Sequence, residues 1–148
     1  MSNVQHNAAL NELLIHLSRG FLQYIGECSP WSGDPTGNNE EQITQLVTRQ
    51  REDIDALAEL LDRRSWTIET GTYPTSNTDQ HYLSLDYLLP QIVASEKNLL
   101  EISERDVNRL ADDHEALPLL QQIHEHQLDS VQRLKSLKPS GQLAGEAK

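Results

Sequence analysis

Apolar positions recur along most of this chain at alternating spacings of three and four, the period of a helix with one buried face. Leu10, Leu14, Leu17, Phe21, Tyr24 and Cys28 form the first stripe and predict a helix over 3–28, with Ser2 and Gln5 at capping-box spacing. Ser29-Pro30 ends it, and the breaker-rich segment 29–38 reads as a loop from which Trp31 folds back over the bundle end. Ile43, Val47, Gln50, Ile54, Leu57 and Leu61 mark a second helix over 40–65, capped by Asn39, with Glu40 and Glu41 at the positive end of its dipole. Tyr82, Leu85, Leu89, Ile92, Glu96, Leu99 and Ser103 mark a third over 79–110. Pro90 lies inside that stripe and crowds the carbonyl of Asp86, so a kink is expected there; two separate helices are the alternative, and the continuous stripe argues against them. Leu117, Leu120, His124, Gln127, Val131 and Leu134 mark a fourth helix over 115–137, opened by Pro118 in its first turn and closed by Arg133, Lys135 and Lys138.

The segment between the second and third helices sets the topology. Residues 66–78 cover about 40 Å when extended, while a helix of about 24 residues is about 36 Å long. Neighbours packed head to tail need only about 2–8 connecting residues. Thr67, Ile68, Thr70, Thr72 and Tyr73 favour extended backbone, Gly71 bends it, and Pro74 holds Tyr73 out of the helical region. The expected result is an all-α domain over 1–138, a four-helix bundle running up-down-down-up with a long crossover between the second and third helices. The tail 139–148 reads as disordered.

Composition narrows the partners. Twelve Lys and Arg against 23 Asp and Glu give a formal net charge of −11, which repels phosphate backbones and anionic lipid, so neither nucleic acid nor membrane is expected. The single cysteine, Cys28, has no internal disulfide partner; beside Glu27 it reads as a small packed apolar group. No basic start followed by an apolar run opens the sequence, and no stretch approaches 18 apolar residues, which together predict a cytoplasmic chain.

Four helices of this length, the crossover and the acidic, helix-rich composition resemble the ferritin-like superfamily of bacterioferritins, rubrerythrins and miniferritins. The resemblance covers residues 3–137 and is one of architecture, and WTIETGTYPTSNTDQHYLSLDYLLP is also similar to the connector and third-helix start of bacterial ferritin-like proteins of unassigned function. For members that handle iron it implies a glutamate from each of two helices and a Glu-x-x-His pair from each of the others. This sequence contains no Glu-x-x-His; the nearest counterparts are Gln121-x-x-His124 and Gln50-x-x-Asp53, where a neutral amide replaces an anionic ligand.

Polar interruptions of the stripes supply the candidate site. His16, Gln50, Glu96 and His124 each lie near the middle of a helix, so a bundle can bring them to one height. In the functional reading His16, Glu96 and His124 hold one metal ion, iron or another transition metal, with Gln50 in support. In the structural reading Glu96 is paired within the core or turned to solvent at a stripe edge, and the layer fixes helix register. His124-Glu125-His126 is not a cluster, because residues two apart leave a helix on different sides, and Asp112-Asp113-His114-Glu115 reads as a solvated or capping run at a helix start.

The first expectation is therefore a non-catalytic bundle with no cofactor, a binding or structural module that self-associates as a dimer through Leu13, Tyr87, Leu88, Leu100 and Leu119. The alternative is an oxidoreductase or iron-storage protein with a degenerate metal centre. A third reading places a small molecule at Trp31, Trp66 and Tyr73.

Overall fold

A computed structural model describes residues 4–28, 38–71 and 85–137, and for Glu27, Cys28, Asn38 and residues 85–87 the backbone alone. Among them are five helices and no strand: α1 Val4–Ser18, α2 Phe21–Cys28, α3 Asn38–Arg63, α4 Leu85–Arg109 and α5 Leu117–Ser136. The positions expected for Trp31, Tyr73, Pro74 and Tyr82, the kink-flanking carbonyl partner's side chain at Asp86, the start of the third helix over 79–84 and the tail all lie outside the described residues. α4 runs through Pro90 without a break.

The first predicted helix is two. Arg19 and Gly20 separate α1 from α2, because glycine is a poor helix former and the backbone here is approached closely by α4. A Cβ on Gly20 would stand 3.3 Å from Leu99 Cδ1 and 3.1 Å from the carbonyl oxygen of His16. The break frees the amide of Phe21, which donates to Ser95 Oγ of α4 at 3.2 Å. It also rotates the stripe: beyond Leu17 the buried positions are Leu22 and Ile25, while Phe21 and Tyr24 are half-buried. Gln23 is thereby turned into the core.

Two apolar clusters record which helix ends meet. The first joins Leu10, Leu13 and Leu14 of α1 with Leu57, Leu60 and Leu61 of α3, Leu99 and Leu110 of α4, and Leu120 and Ile123 of α5. The second joins Leu22 and Ile25 of α2 with Ile43, Leu46 and Val47 of α3, Leu88, Leu89 and Ile92 of α4, and Leu134 of α5. Both α3 and α4 begin in the second cluster and end in the first, so they run in the same direction, and α1–α2 and α5 run against them. Truncating one of these buried leucines to alanine costs about 2–5 kcal/mol.

Residues after α3 travel back beside α1. Ser65, at a φ of 57°, ends α3 in the left-handed region; its amide donates to the carbonyl of Asp62 and that of Trp66 to Leu61, the two bonds of a Schellman stop. Trp66 and Ile68 then pack on the first cluster. The side-chain amide of Asn11 holds Glu69 as a neighbouring strand would, accepting from its N–H at 2.9 Å and donating to its carbonyl at 3.1 Å. Arg19 Nε donates to the carbonyl of Thr70 at 3.0 Å, and Gly71, at a φ of 67°, passes so close to Ile15 that a Cβ would meet its Cγ2 at 2.8 Å.

Candidate functional site

Between the two apolar clusters lies a polar layer built from one residue of each of four helices: Gln23 of α2, Gln50 of α3, Glu96 of α4 and Gln127 of α5. All four are buried, Glu96 completely. Each stands where its helix's apolar stripe would otherwise carry a leucine, so the side chains have no route to water and must satisfy one another. Gln50 Nε2 donates to Glu96 Oε1 at 3.1 Å and to Gln127 Oε1 at 3.1 Å, and Gln127 Nε2 donates to Glu96 Oε1 at 3.3 Å. Gln23 Nε2 donates to Gln50 Oε1 at 2.9 Å and to the carbonyl of Val47 at 3.1 Å. Arg51 Nε completes the series by donating to Gln23 Oε1 at 3.1 Å. The donors thus run one way, from a guanidinium at the surface through amides to the carboxylate.

Burial pushes the Glu96 carboxyl up to about 7, against the opposing pull of the amide bonds from Gln50 and Gln127 and of the more distant Arg49. A neutral amide returns less of the lost hydration than a cation does, so this group gives up its proton only near neutrality. The arrangement can hold or release one proton and lock four helices at one height. It presents no nucleophile beside a base.

A second polar seam runs beside it between α3 and α5. Asp53, 1% exposed, receives Gln122 Nε2 at 3.2 Å and lies 2.8 Å from His126 Nδ1. One turn along, Arg49 donates to Asp129 Oδ2 at 2.8 Å, Ser130 Oγ at 2.9 Å and the carbonyl of His126 at 3.0 Å.

Of the four candidate metal ligands, Gln50 and Glu96 come together and the two histidines do not join them. His16 is half-exposed and faces Glu12, with Nε2 3.6 Å from Oε1. His124 is half-buried at the stripe edge, a turn before Gln127, and forms none of the layer's bonds. The positions expected of the histidines are taken by Gln23 and Gln127. Gln127 belonged to the fourth stripe from the outset; Gln23 was hidden by the Gly20 break, which a continuous helical reading passes over. Among the described residues no group of three or more His, Cys, Asp and Glu side chains is placed to share a metal ion.

The acidic run before α5 divides between the two expectations, Asp112 solvated and Asp113 capping the turn by accepting the amide of Ala116 at 3.1 Å. Asp112 is exposed, but Asp113 is buried and takes both ends of the Arg64 guanidinium, at 2.7 and 2.9 Å. Of the proposed dimer contacts, Leu13 and Leu88 are fully buried in this chain's own core, Leu100 and Leu119 are half-buried, and the side chain of Tyr87 lies outside the described residues. Trp66 lines a shallow groove of about 250 Å³ with Asn11, Glu12, Ile15 and Glu69. Among the described residues no helix is long and apolar enough to cross a membrane. Neither a family model, nor a curated protein, nor a solved structure matches the chain.

Proposed function

We propose that this chain is a ferritin-like bundle in which glutamine amides have taken over the place of a metal centre, and that it serves as a non-catalytic binding or structural module. The spacing of the layer supports the reading. α2 and α4 each bring one buried polar residue to the layer, Gln23 and Glu96, and on α3 and α5 the layer residues Gln50 and Gln127 are each followed three positions on by a buried polar residue of the neighbouring seam, Asp53 and Ser130. Carboxylate bundles place single glutamates on two helices and Glu-x-x-His pairs on the other two in the same pattern. The parallel course of α3 and α4 agrees with the crossover of that architecture.

The observation that carries the non-catalytic reading is the donor arrangement around Glu96: one carboxylate, with amide N–H groups of Gln50 and Gln127 aimed at it. A paired-cation centre needs several anionic oxygens pointing inward, and N–H donors present the wrong sign of charge. Thermal unfolding with and without ferrous or manganous ion tests this. The natural chain, purified without a histidine tag, is expected to keep its midpoint and to carry no stoichiometric metal. The variant Q23E/Q50E/Q127E, which restores carboxylates, is expected to be less stable without metal and to recover with it by mass action. Stoichiometric iron in the natural protein, with a raised midpoint, would instead favour an oxidoreductase or storage role.

The same reading carries self-association as a dimer, for which half-buried Leu100 and Leu119 and the 42% exposed Leu128 leave apolar surface on α4 and α5. Light scattering at micromolar concentration reads the mass directly.

A further inference from the structure

Away from the central layer, a line of charged groups leads from solvent into the core between α1 and α4. His16 Nε2 lies 3.6 Å from Glu12 Oε1, the same Glu12 oxygen lies 3.9 Å from Arg105 Nη2, and Arg105 Nε lies 3.5 Å from Asp106 Oδ1. The first three are half-exposed or more, whereas Asp106 is 1% exposed, on the inward stripe of α4 between Ser103 and Leu110. Its single contact to Arg105 sits at the outer limit of a hydrogen bond, and Oδ2 is the one buried side-chain oxygen or nitrogen among the described residues with no hydrogen-bond partner.

An ionised oxygen in that position is among the costliest groups a core can hold, and a protonated one is far cheaper. The charges acting on it come from two helices. α4 itself supplies Arg105 and Arg109, and α1 supplies Glu12, with His16 behind it. Burial raises the carboxyl above its usual range, the two arginines oppose the rise, and Glu12 adds to it.

Both helices are also held elsewhere. α4 is tied through Glu96 to amides of α3 and α5, and α1 is tied to the end of α3 through Asn7 and to the connector through Asn11, so the contact a charge on Asp106 can loosen is the one between α1 and α4. We propose that Asp106 is a pH-sensitive latch on the α1–α4 seam, packed closed while the carboxyl keeps its proton and loosening α1 when the proton leaves. The direction follows from linkage. A carboxyl that holds its proton more tightly folded than unfolded contributes fully at pH values below its unfolded titration, and that contribution falls as pH rises through the folded one.

Amide hydrogen exchange of the full chain, corrected for intrinsic rates and read helix by helix from below the ordinary aspartate value of 3.8 upward, tests the latch. In the natural protein, protection in α1 is expected to fall with rising pH, about tenfold for each unit by which the folded carboxyl exceeds the unfolded one. Asp106→Asn is expected to flatten the α1 profile and to leave the profiles of α2 and α5, which report on Glu96, as they were. The same α1 slope in Asp106→Asn as in the natural chain overturns the proposal. Glu12→Gln, a surface change that leaves the core intact, removes a charge that holds the proton on Asp106, so the fall in α1 protection is expected to level off at lower pH and to be smaller in total; an unchanged profile overturns the proposal as well.

Discussion

Two buried carboxylates on the same antiparallel pair of helices and its turn, Glu96 and Asp113, are pushed in opposite directions. Asp113 faces the planar guanidinium of Arg64 with both oxygens, also accepts the amide of Ala116 at 3.1 Å, and is held down to about 2. Glu96, more deeply buried and bonded by two glutamines, rises to about 7. Burial alone does not set the charge of an interior acid; the partner does. A fork of cationic donors replaces the lost hydration, and neutral amides replace only part of it. One end of the molecule is therefore clamped by an ion pair, while its middle holds a carboxyl that tolerates either state.

The largest effect is expected from breaking the clamp. Arg64 also donates to Asn7 Oδ1 of α1 and to Glu115, so Arg64→Ala leaves buried Asp113 with only His6 and the amide of Ala116 and unties three segments from one another. Urea unfolding should report a loss of about 3–5 kcal/mol, the usual cost of leaving one member of a buried pair alone. A loss below about 1 kcal/mol would put this pair with exposed salt bridges instead.

Next comes pH, where the two acids act in separate windows. For Glu96 both states are protonated below the unfolded value of 4.5, and stability is lost as pH rises from there through about 7. The folded and unfolded values differ by enough to make that loss about 3 kcal/mol. For Asp113 the stabilisation is complete above the unfolded value of 3.8 and is lost as pH falls from there through about 2. Between them, these two acids contribute most near pH 4. Glu96→Gln should remove most of the decline toward neutrality; an unchanged slope would mean that the amides compensate as well as Arg64 does.

Smaller effects are expected where the chain turns beside the clamp. Gly71→Ala forces a side chain into a left-handed backbone and against Ile15, and should cost about 1–2 kcal/mol or more. Ser65→Gly removes strain of the same kind from the Schellman stop and should stabilise by up to about 1 kcal/mol. Equal midpoints for Ser65→Gly and the natural chain would show that Ser65 sits there without penalty.

Much of this is legible in the sequence. The third stripe was read correctly from Leu89 to Ser103, including Glu96 as its polar interruption, because a helix repeats its faces by local geometry alone. Gln50 was placed inside for the same reason. The layer's other members were not. Mid-helix position points to His16, which stays outside the layer, and a stripe through Phe21 and Tyr24 supposes a helix continuous across Gly20 and so passes over Gln23. His126 was set aside with His124, since two residues apart on a helix cannot share one site, and yet that divergence is what turns His126 alone toward Asp53.

Periodicity and breakers, read residue by residue, determined the helical class, most helix bounds and a connector long enough to return along the bundle, because each depends on neighbours within a few positions. Only the tertiary structure decided which polar residue of each helix meets Glu96, that Arg64 and not water receives Asp113, and that Asp106 goes inward with an oxygen unpaired. Those outcomes depend on axial register between helices far apart in the chain. A two-residue break at Arg19-Gly20 was enough to exchange one set of inward positions for another.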